Sequence, residues 1–126
     1  MLKGNTFSTT EKGFVSGANG KEKTLQKCFM GLSPEWCTTP SQSVNYASCH
    51  DNLSLMDRII RSTPEASVEE RIRMNNLAAA IYMTAEGVPF MQAGEEFLRS
   101  KVKADGGLDE NSYASPDSVN SLKWSN

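Results

Sequence analysis

The chain has 126 residues, of which 38% are hydrophobic and 22% charged, and its net charge is −2. That length suits one domain but falls well short of the roughly 250 residues of a complete eight-stranded α/β barrel. The small negative charge gives no reason to expect a nucleic acid or an anionic membrane as partner. The apolar run 77–83 is too short to span a bilayer, and the first residues lack the apolar core of a signal peptide.

Three cysteines, Cys28, Cys37 and Cys49, are odd in number and widely spaced, and His50 is the single histidine. No Cys-x-x-Cys pair occurs, so the spacing predicts no structural zinc site, and we expect neither a metal nor a cofactor. Free thiols in a reducing compartment are the favoured interpretation, which makes a cytoplasmic location more probable than an extracellular one. A signal peptide on a longer parent protein would not be visible in this sequence.

The first third of the chain contains one predicted helix and one predicted strand. Residues 1–24 are polar and interrupted by glycines, which predicts a loop. Residues 25–32 form a predicted short helix with Leu25, Cys28, Phe29 and Leu32 on one face. The segment 43–49 is the first predicted strand, and its few polar members are typical of a buried parallel strand.

The middle of the chain predicts a strand–helix–strand unit. A short helix is expected over 53–60. Ser67 and Glu70 have the spacing of a capping box, which predicts a second helix from about 68 to Glu86, ended by Gly87 and Pro89. The apolar segment 88–93 follows as a second strand, so the two strands should be parallel. Residues 99–126 are polar again and are predicted to be a long loop.

His50, Asp51 and Asn52 come directly after the first predicted strand. In barrel enzymes the loops after the strands build the active face. A carboxylate beside an imidazole also suits a sugar ring that develops positive charge. The triplet alone is weak evidence, because a loop aspartate such as Asp51 could instead cap the next helix.

Several stretches, in order along the chain, resemble one enzyme family. Residues 44–57, Val-Asn-Tyr-Ala-Ser-Cys-His-Asp-Asn-Leu-Ser-Leu-Met-Asp, resemble the seventh-strand motif of type I pullulanases, in the α-amylase superfamily. Residues 71–75 and 87–97 are similar to the next helix and the eighth strand of that family, and 110–124 to the loop that follows. The stretches 2–4 and 13–17 resemble the segment after the sixth strand. This colinearity is more specific than any one motif.

The resemblance implies an α/β fold made of about the last two βα units, strands 7 and 8, of a (β/α)8 TIM barrel with long polar loops. The whole chain, 1–126, would be part of a catalytic domain. Its implied divisions are a loop and helix region after strand 6 (1–42), strand 7 with its helix and strand 8 (43–98), and a substrate-side loop (99–126).

The same resemblance implies a parent enzyme that hydrolyses α-1,6-glucosidic linkages in pullulan, limit dextrins or glycogen. Asp51 would be the carboxylate that stabilises the transition state, and His50 would bond the same sugar. Further contacts with substrate would come from Asn52, Tyr46, Asp117 and Asn120. No cofactor is implied, although calcium in the parent enzyme is left open.

The family's nucleophile and acid/base lie on the fourth and fifth strands, which this chain does not contain. A retaining glycosidase needs both carboxyl groups, so we expect the chain to be inactive alone. Its implied partners are an α-glucan and the remaining barrel segments. Glu95 and Glu96 are interpreted as orienting neighbours or pairing with Arg99, rather than as an acid/base pair.

Two alternatives of function stay open at this point. One is an isoamylase or another glycogen-debranching relative. The other is a non-catalytic glucan-binding or assembly module that kept the fold elements without the chemistry. Glucan affinity in the isolated chain would support the second alternative.

Overall fold

The architecture is a strand–helix–strand unit, described by a computed structural model over residues 1–8, 10–32 and 36–124. The helices and strands in chain order are α1 (Glu22–Phe29), β1 (Val44–Asn45), α2 (Leu55–Ser62), α3 (Val68–Thr84), β2 (Val88–Pro89) and α4 (Asp117–Asn120). Single 3-10 turns lie at Phe14–Ser16, Pro40–Gln42, Glu95–Phe97 and Ser112–Ala114.

The two strands are parallel, as predicted, with Val44 opposite Val88 and Asn45 opposite Pro89. The Val88 amide donates to the Ser43 carbonyl at 2.8 Å, and the Phe90 amide donates to the Asn45 carbonyl at 2.9 Å. The predicted strand lengths, 43–49 and 88–93, are wrong. Each strand pairs with one neighbour in the described part of the chain, and a two-stranded ladder sustains little extended structure by itself.

Helix α3 begins where the capping box predicts. The Ser67 amide donates to Glu70 Oε2 at 2.7 Å, and the Glu70 amide donates to Ser67 Oγ at 3.2 Å. The helix ends at Thr84, earlier than the predicted Glu86. The reason is that the Glu86 amide donates to the Phe29 carbonyl in α1, at 2.9 Å, instead of continuing the helical pattern.

Gly87 brings the start of β2 against β1. Its φ is +125°, in the region that favours glycine. A Cβ there would lie 2.7 Å from Asn45 Nδ2 and 2.9 Å from the Ser43 carbonyl oxygen. Asn45 Nδ2 itself donates to the Glu86 carbonyl at 2.9 Å. The close approach is therefore a requirement of the strand pairing, whereas α3 has already ended at Thr84.

The shorter helices are shifted from their predicted positions. Helix α1 starts before the predicted 25–32 and ends at Phe29, since Gly31 has a φ of +67° and turns the chain. Helix α2 is later than the predicted 53–60, because Ser54 Oγ caps it by accepting from the Asp57 amide at 3.2 Å. The polar tail from 99 contains the short helix α4 as well as loop.

The core lies between α2, α3 and the N-terminal stretch. Its buried members share an apolar side chain and are Leu2, Val15, Ala47, Leu55, Ile59, Ala78 and Tyr82. The polar loop predicted over 1–24 thus supplies two core residues. On the strands, Val44 and Val88 stay about half exposed. Within the described ranges, no helix combines the length and apolar character needed to cross a membrane.

Candidate functional site

An open cleft lies beyond the carboxyl ends of the two parallel strands. His50, Asp51 and Asn52 follow β1, and Gln92 follows β2, so the parallel pairing brings them to the same edge. The cleft has a volume of about 650 Å³ and is lined by Phe7, His50, Asp51, Asn52, Gln92, Arg99, Lys101, Glu110, Asn111, Ser112, Tyr113 and Asn120. Much of its wall therefore comes from the polar tail after 98.

His50 and Asp51 stand open to solvent at the cleft. Their side chains are 86% and 75% exposed, and His50 Nε2 lies 3.5 Å from Asp51 Oδ2. A contact this exposed contributes little to stability. The alternative role of Asp51 as cap of the next helix is wrong, because Ser54 holds that position. Both side chains are thus accessible to a ligand that enters the cleft.

Asn52 turns the chain sharply after Asp51. Its φ is 61°, in the left-handed region that asparagine tolerates better than most residues. The Asn52 carbonyl accepts a hydrogen bond from the ammonium group of Lys101. The turn that carries the triplet is therefore tied to the tail of the chain.

Lys101 is a buried cation in the floor of the cleft, with 3% of its surface exposed. Its Nζ also donates to Ser112 Oγ at 3.1 Å, and its backbone amide donates to Asp57 Oδ2 at 2.9 Å. Ser100 Oγ donates to the other Asp57 oxygen. Burial lowers the pKa of Lys101, and the nearby charge of Asp57 acts in the opposite direction.

Asn120 lies in the cleft wall and organises the tail. Its Nδ2 donates to the Ser112 carbonyl at 2.7 Å and to the Ser115 carbonyl at 2.9 Å. Its own carbonyl accepts from Arg99 Nη2 at 2.6 Å. Asn120 was predicted to contact substrate, and its amide nitrogen already donates hydrogen bonds within the loop.

Tyr46 and Asp117, which were also expected to contact substrate, do not line this cleft. Tyr46 directly follows β1 and its ring meets Phe90, after β2, edge-on with centroids 5.9 Å apart. It borders a separate, mostly apolar cavity of about 250 Å³. Asp117 is the exposed first residue of α4. The structure therefore groups His50, Asp51, Asn52 and Asn120 and leaves these two elsewhere.

Of the two roles expected for Glu95, orienting its neighbours or pairing with Arg99, the structure shows the first. Its side chain is buried and accepts from Tyr82 Oη at 2.8 Å and from Ser48 Oγ. Burial raises the pKa of Tyr82, and the hydrogen bond to Glu95 adds to that rise. Glu96 Oε2 accepts from the Gly94 amide at 2.9 Å. Arg99 turns instead to the Asn120 carbonyl.

Most of the cleft residues that sequence reasoning missed are in the tail, and Phe7 and Gln92 are the others. Lys101, Arg99, Glu110 and Ser112 line the cleft, yet 99–126 has no periodicity that would have marked them. Among the described residues, no three His, Cys, Asp or Glu side chains lie close enough together to hold a metal ion. The cysteines, Cys28, Cys37 and Cys49, are free thiols.

Comparison with known proteins identifies relatives along nearly the whole chain, although no family model matches it. The chain is 37% identical over 98% of its length to the pullulanase of Bacillus subtilis (strain 168), and covers 17% of that protein. It is 44% identical over 71% of its length to the chloroplastic pullulanase 1 of Arabidopsis thaliana, and covers 9% of it.

Solved structures agree with this result. The pullulanase from Bacillus acidopullulyticus superimposes with a TM-score of 0.91 and 40% identity over 98% of this chain and 15% of its own. The Paenibacillus barengoltzii pullulanase, in complex with maltohexaose and α-cyclodextrin, gives 0.89 and 45% over 98% of this chain and 19% of its own. The chain thus spans about 17% of the length of the Bacillus subtilis relative. Over that span, its sequence and its fold show that it belongs to the pullulanase family.

Proposed function

We propose that this chain forms the last two βα units of a pullulanase-type (β/α)8 barrel that hydrolyses α-1,6-glucosidic linkages in pullulan, limit dextrins or glycogen. The observation that carries the proposal is the placement of His50, Asp51 and Asn52 beyond the carboxyl end of a parallel pair, at an open cleft. TIM-barrel active sites lie on that face. Related pullulanases have been solved with maltotetraose or maltose, which supports an α-glucan as ligand.

Asp51 is the proposed transition-state stabiliser. The sugar at the point of cleavage gains positive charge as the glycosidic bond breaks. A carboxylate beside that ring attracts the transition state more strongly than the neutral ground state, so it raises the rate rather than the affinity. His50, whose Nε2 lies 3.5 Å from Asp51 Oδ2, is proposed to bond a hydroxyl of the same sugar. Asn52 and Asn120 complete the proposed binding surface.

The other catalytic groups are proposed to come from the remaining barrel segments. Among the residues that line the cleft, Asp51 and Glu110 are the acidic ones. Glu95 is buried and already bonded to Ser48 and Tyr82. A retaining mechanism needs a nucleophile and an acid/base about 5–5.5 Å apart, and the family resemblance assigns both to other strands. We therefore propose that this chain alone does not hydrolyse pullulan.

Complementation tests the proposal. The chain would be co-expressed with a pullulanase segment that supplies the other strands, and release of reducing ends from pullulan would be measured. We expect no activity from the chain alone and activity from the reconstituted enzyme. Asp51→Asn should lower kcat by at least about a hundredfold with little change in KM, because only the transition state loses an interaction. Asp105→Asn, the same substitution at an exposed position that does not line the cleft, is the matched control.

Two results would contradict this account. An unchanged kcat in the reconstituted Asp51→Asn enzyme would remove Asp51 from the chemistry. Hydrolysis by the isolated chain that disappears in Asp51→Asn would mean that a second carboxylate of this chain completes the site.

A non-catalytic glucan-binding module is the second candidate function. The observation in its favour is that the cleft is open within the chain itself, with His50 and Asp51 exposed at its edge. Titration of the isolated chain with maltotriose would test it. Affinity that persists in the isolated chain, together with failure of every complementation, would favour binding over catalysis. The free thiols favour a reducing compartment for either function.

A further inference from the structure

The turn that carries Asp51 accepts a hydrogen bond from the buried ammonium group of Lys101. Asn52 adopts a φ of 61°. This left-handed conformation costs an L-residue free energy, so it persists only where surrounding contacts stabilise it. The Asn52 carbonyl accepts from Lys101 Nζ across 49 positions of sequence. A hydrogen bond with a charged donor is stronger than one between neutral groups. The contact is thus suited to fix the turn.

Lys101 is itself held on more than one side. Its Nζ donates to Ser112 Oγ, and its backbone amide donates to the buried carboxylate of Asp57 in α2. Asp57 also accepts from Ser100, the preceding residue. The backbone of Lys101 is therefore fixed against α2, and its side chain extends from there to the Asn52 carbonyl.

We infer that Lys101 is a positioning residue for Asp51: its ammonium holds Asn52 in the left-handed conformation and so sets where the Asp51 carboxylate stands at the cleft. The inference rests on the proposed function, in which Asp51 faces the sugar. Lys101 acts through the turn, and its own side chain is buried beneath it. Charge adds to the effect, since Lys101 and Asp51 have opposite signs and attract each other.

The test compares Lys101→Met with Lys103→Met in the isolated chain. Methionine keeps the length of the side chain and removes its donor. Lys103 is a matched control because it lies two residues away, is exposed, and bonds to neither Asn52 nor Ser112. Nuclear magnetic resonance gives two probes of the turn: the ring signal of His50, the single histidine, and the ¹³C shifts of Asn52, which report a left-handed backbone.

We expect Lys101→Met to move the Asn52 ¹³C shifts away from left-handed values and to move the His50 signal, while Lys103→Met leaves both in place. Unchanged Asn52 and His50 signals in a folded Lys101→Met chain would overturn the inference. If Lys101→Met does not fold, the wild-type chain decides. The Lys101 ammonium should then show slow exchange and a hydrogen-bond coupling to the Asn52 carbonyl carbon. Absence of that coupling would overturn the inference as well.

Maltotriose separates this inference from the proposed function. If the wild-type chain binds maltotriose, Lys101→Met should bind it at least about tenfold more weakly, because a displaced turn moves His50 and Asn52 away from the sugar hydroxyls that they are proposed to bond. Equal affinity in the two chains would count against Lys101 as a positioning residue. If the wild-type chain and its reconstituted enzyme both ignore α-glucans, the proposed function fails, and the Asn52 shifts still decide whether Lys101 sets the turn.

Discussion

Asp57 should be a sensitive polar position, and its two oxygens allow a sharp comparison of variants. The residue is fully buried in α2, and it accepts from the Lys101 amide at 2.9 Å and from Ser100 Oγ. Asp57→Ala leaves both donors without a partner and removes the opposite charge that acts most strongly on the buried Lys101 ammonium. Asp57→Asn keeps the shape, with its amide oxygen on the Lys101 amide and its nitrogen on Ser100, whose hydroxyl can turn to accept.

The magnitudes of the two changes differ enough to measure. Each hydrogen bond to a charged group is worth about 1.5–3 kcal/mol, so Asp57→Ala should cost roughly 3–6 kcal/mol. That is a large part of the ~5–15 kcal/mol by which ordinary domains are stable. Asp57→Asn should cost about 1–2 kcal/mol, because one good hydrogen bond survives and the serine adapts. The exposed Asp105→Ala should change stability by no more than about 0.5 kcal/mol.

Urea unfolding, followed by tryptophan fluorescence and circular dichroism, measures these differences from the shift in midpoint at constant slope. A loss below about 1 kcal/mol in Asp57→Ala would refute the view that this carboxylate anchors the tail to the core. Equal losses in Asp57→Ala and Asp57→Asn would refute the account of how its two oxygens are used.

Three further changes test other parts of the structure. Ser67→Ala should destabilise the chain by about 1 kcal/mol, since it removes the acceptor of the Glu70 amide, and the melting temperature should fall while Ser118→Ala changes little. Asn52→Gly should keep or raise stability in the same assay and Asn52→Ala should lower it by about 1 kcal/mol, because φ is 61° there; equal effects would argue against a left-handed turn. The raised pKa of Tyr82 means that the unfolded chain ionises first, so stability should fall as pH rises above the ordinary value of 10.0. Tyr82→Phe should lose less stability over that range in alkaline urea titrations, and parallel pH curves for the two proteins would contradict the buried Tyr82–Glu95 contact.

The parts of the fold that sequence predicts well are those with local signals. The capping box of Ser67 and Glu70 gives the start of α3 because its bonds join near neighbours in sequence, and Gly87 bounds the end of the helix to within two residues. The exact end could not be predicted, since it depends on the Glu86 amide reaching the Phe29 carbonyl of another helix. Parallel pairing followed from the order of elements. The strand lengths could not be predicted, since an extended segment continues only as far as its neighbour accompanies it.

The candidate site shows the same division. His50, Asp51 and Asn52 could be singled out because they follow a strand and match a family motif. Lys101 could not, since its partners, Asn52 and Asp57, are more than 40 positions away and only the tertiary structure brings them together. Glu95 and Arg99 are close in sequence, so an ion pair between them was one of two open alternatives, yet each bonds a residue farther away in sequence.

Gly87 also influences the geometry of the cleft, although it lies at the opposite end of the strands. The ladder between β1 and β2 is so short that no alternation of side chains can specify its alignment, and the contact of Gly87 with Asn45 and Ser43 supplies that alignment instead. The alignment of β1 with β2 also sets the positions of the residues after the strands, including Asp51 on one loop and Gln92 on the other. Changes near the start of β2 would therefore alter the distance between the loop with Asp51 and the loop with Gln92, although residues there do not line the cleft. A substitution at Gly87 would therefore alter the width of the cleft without replacing any residue that lines it.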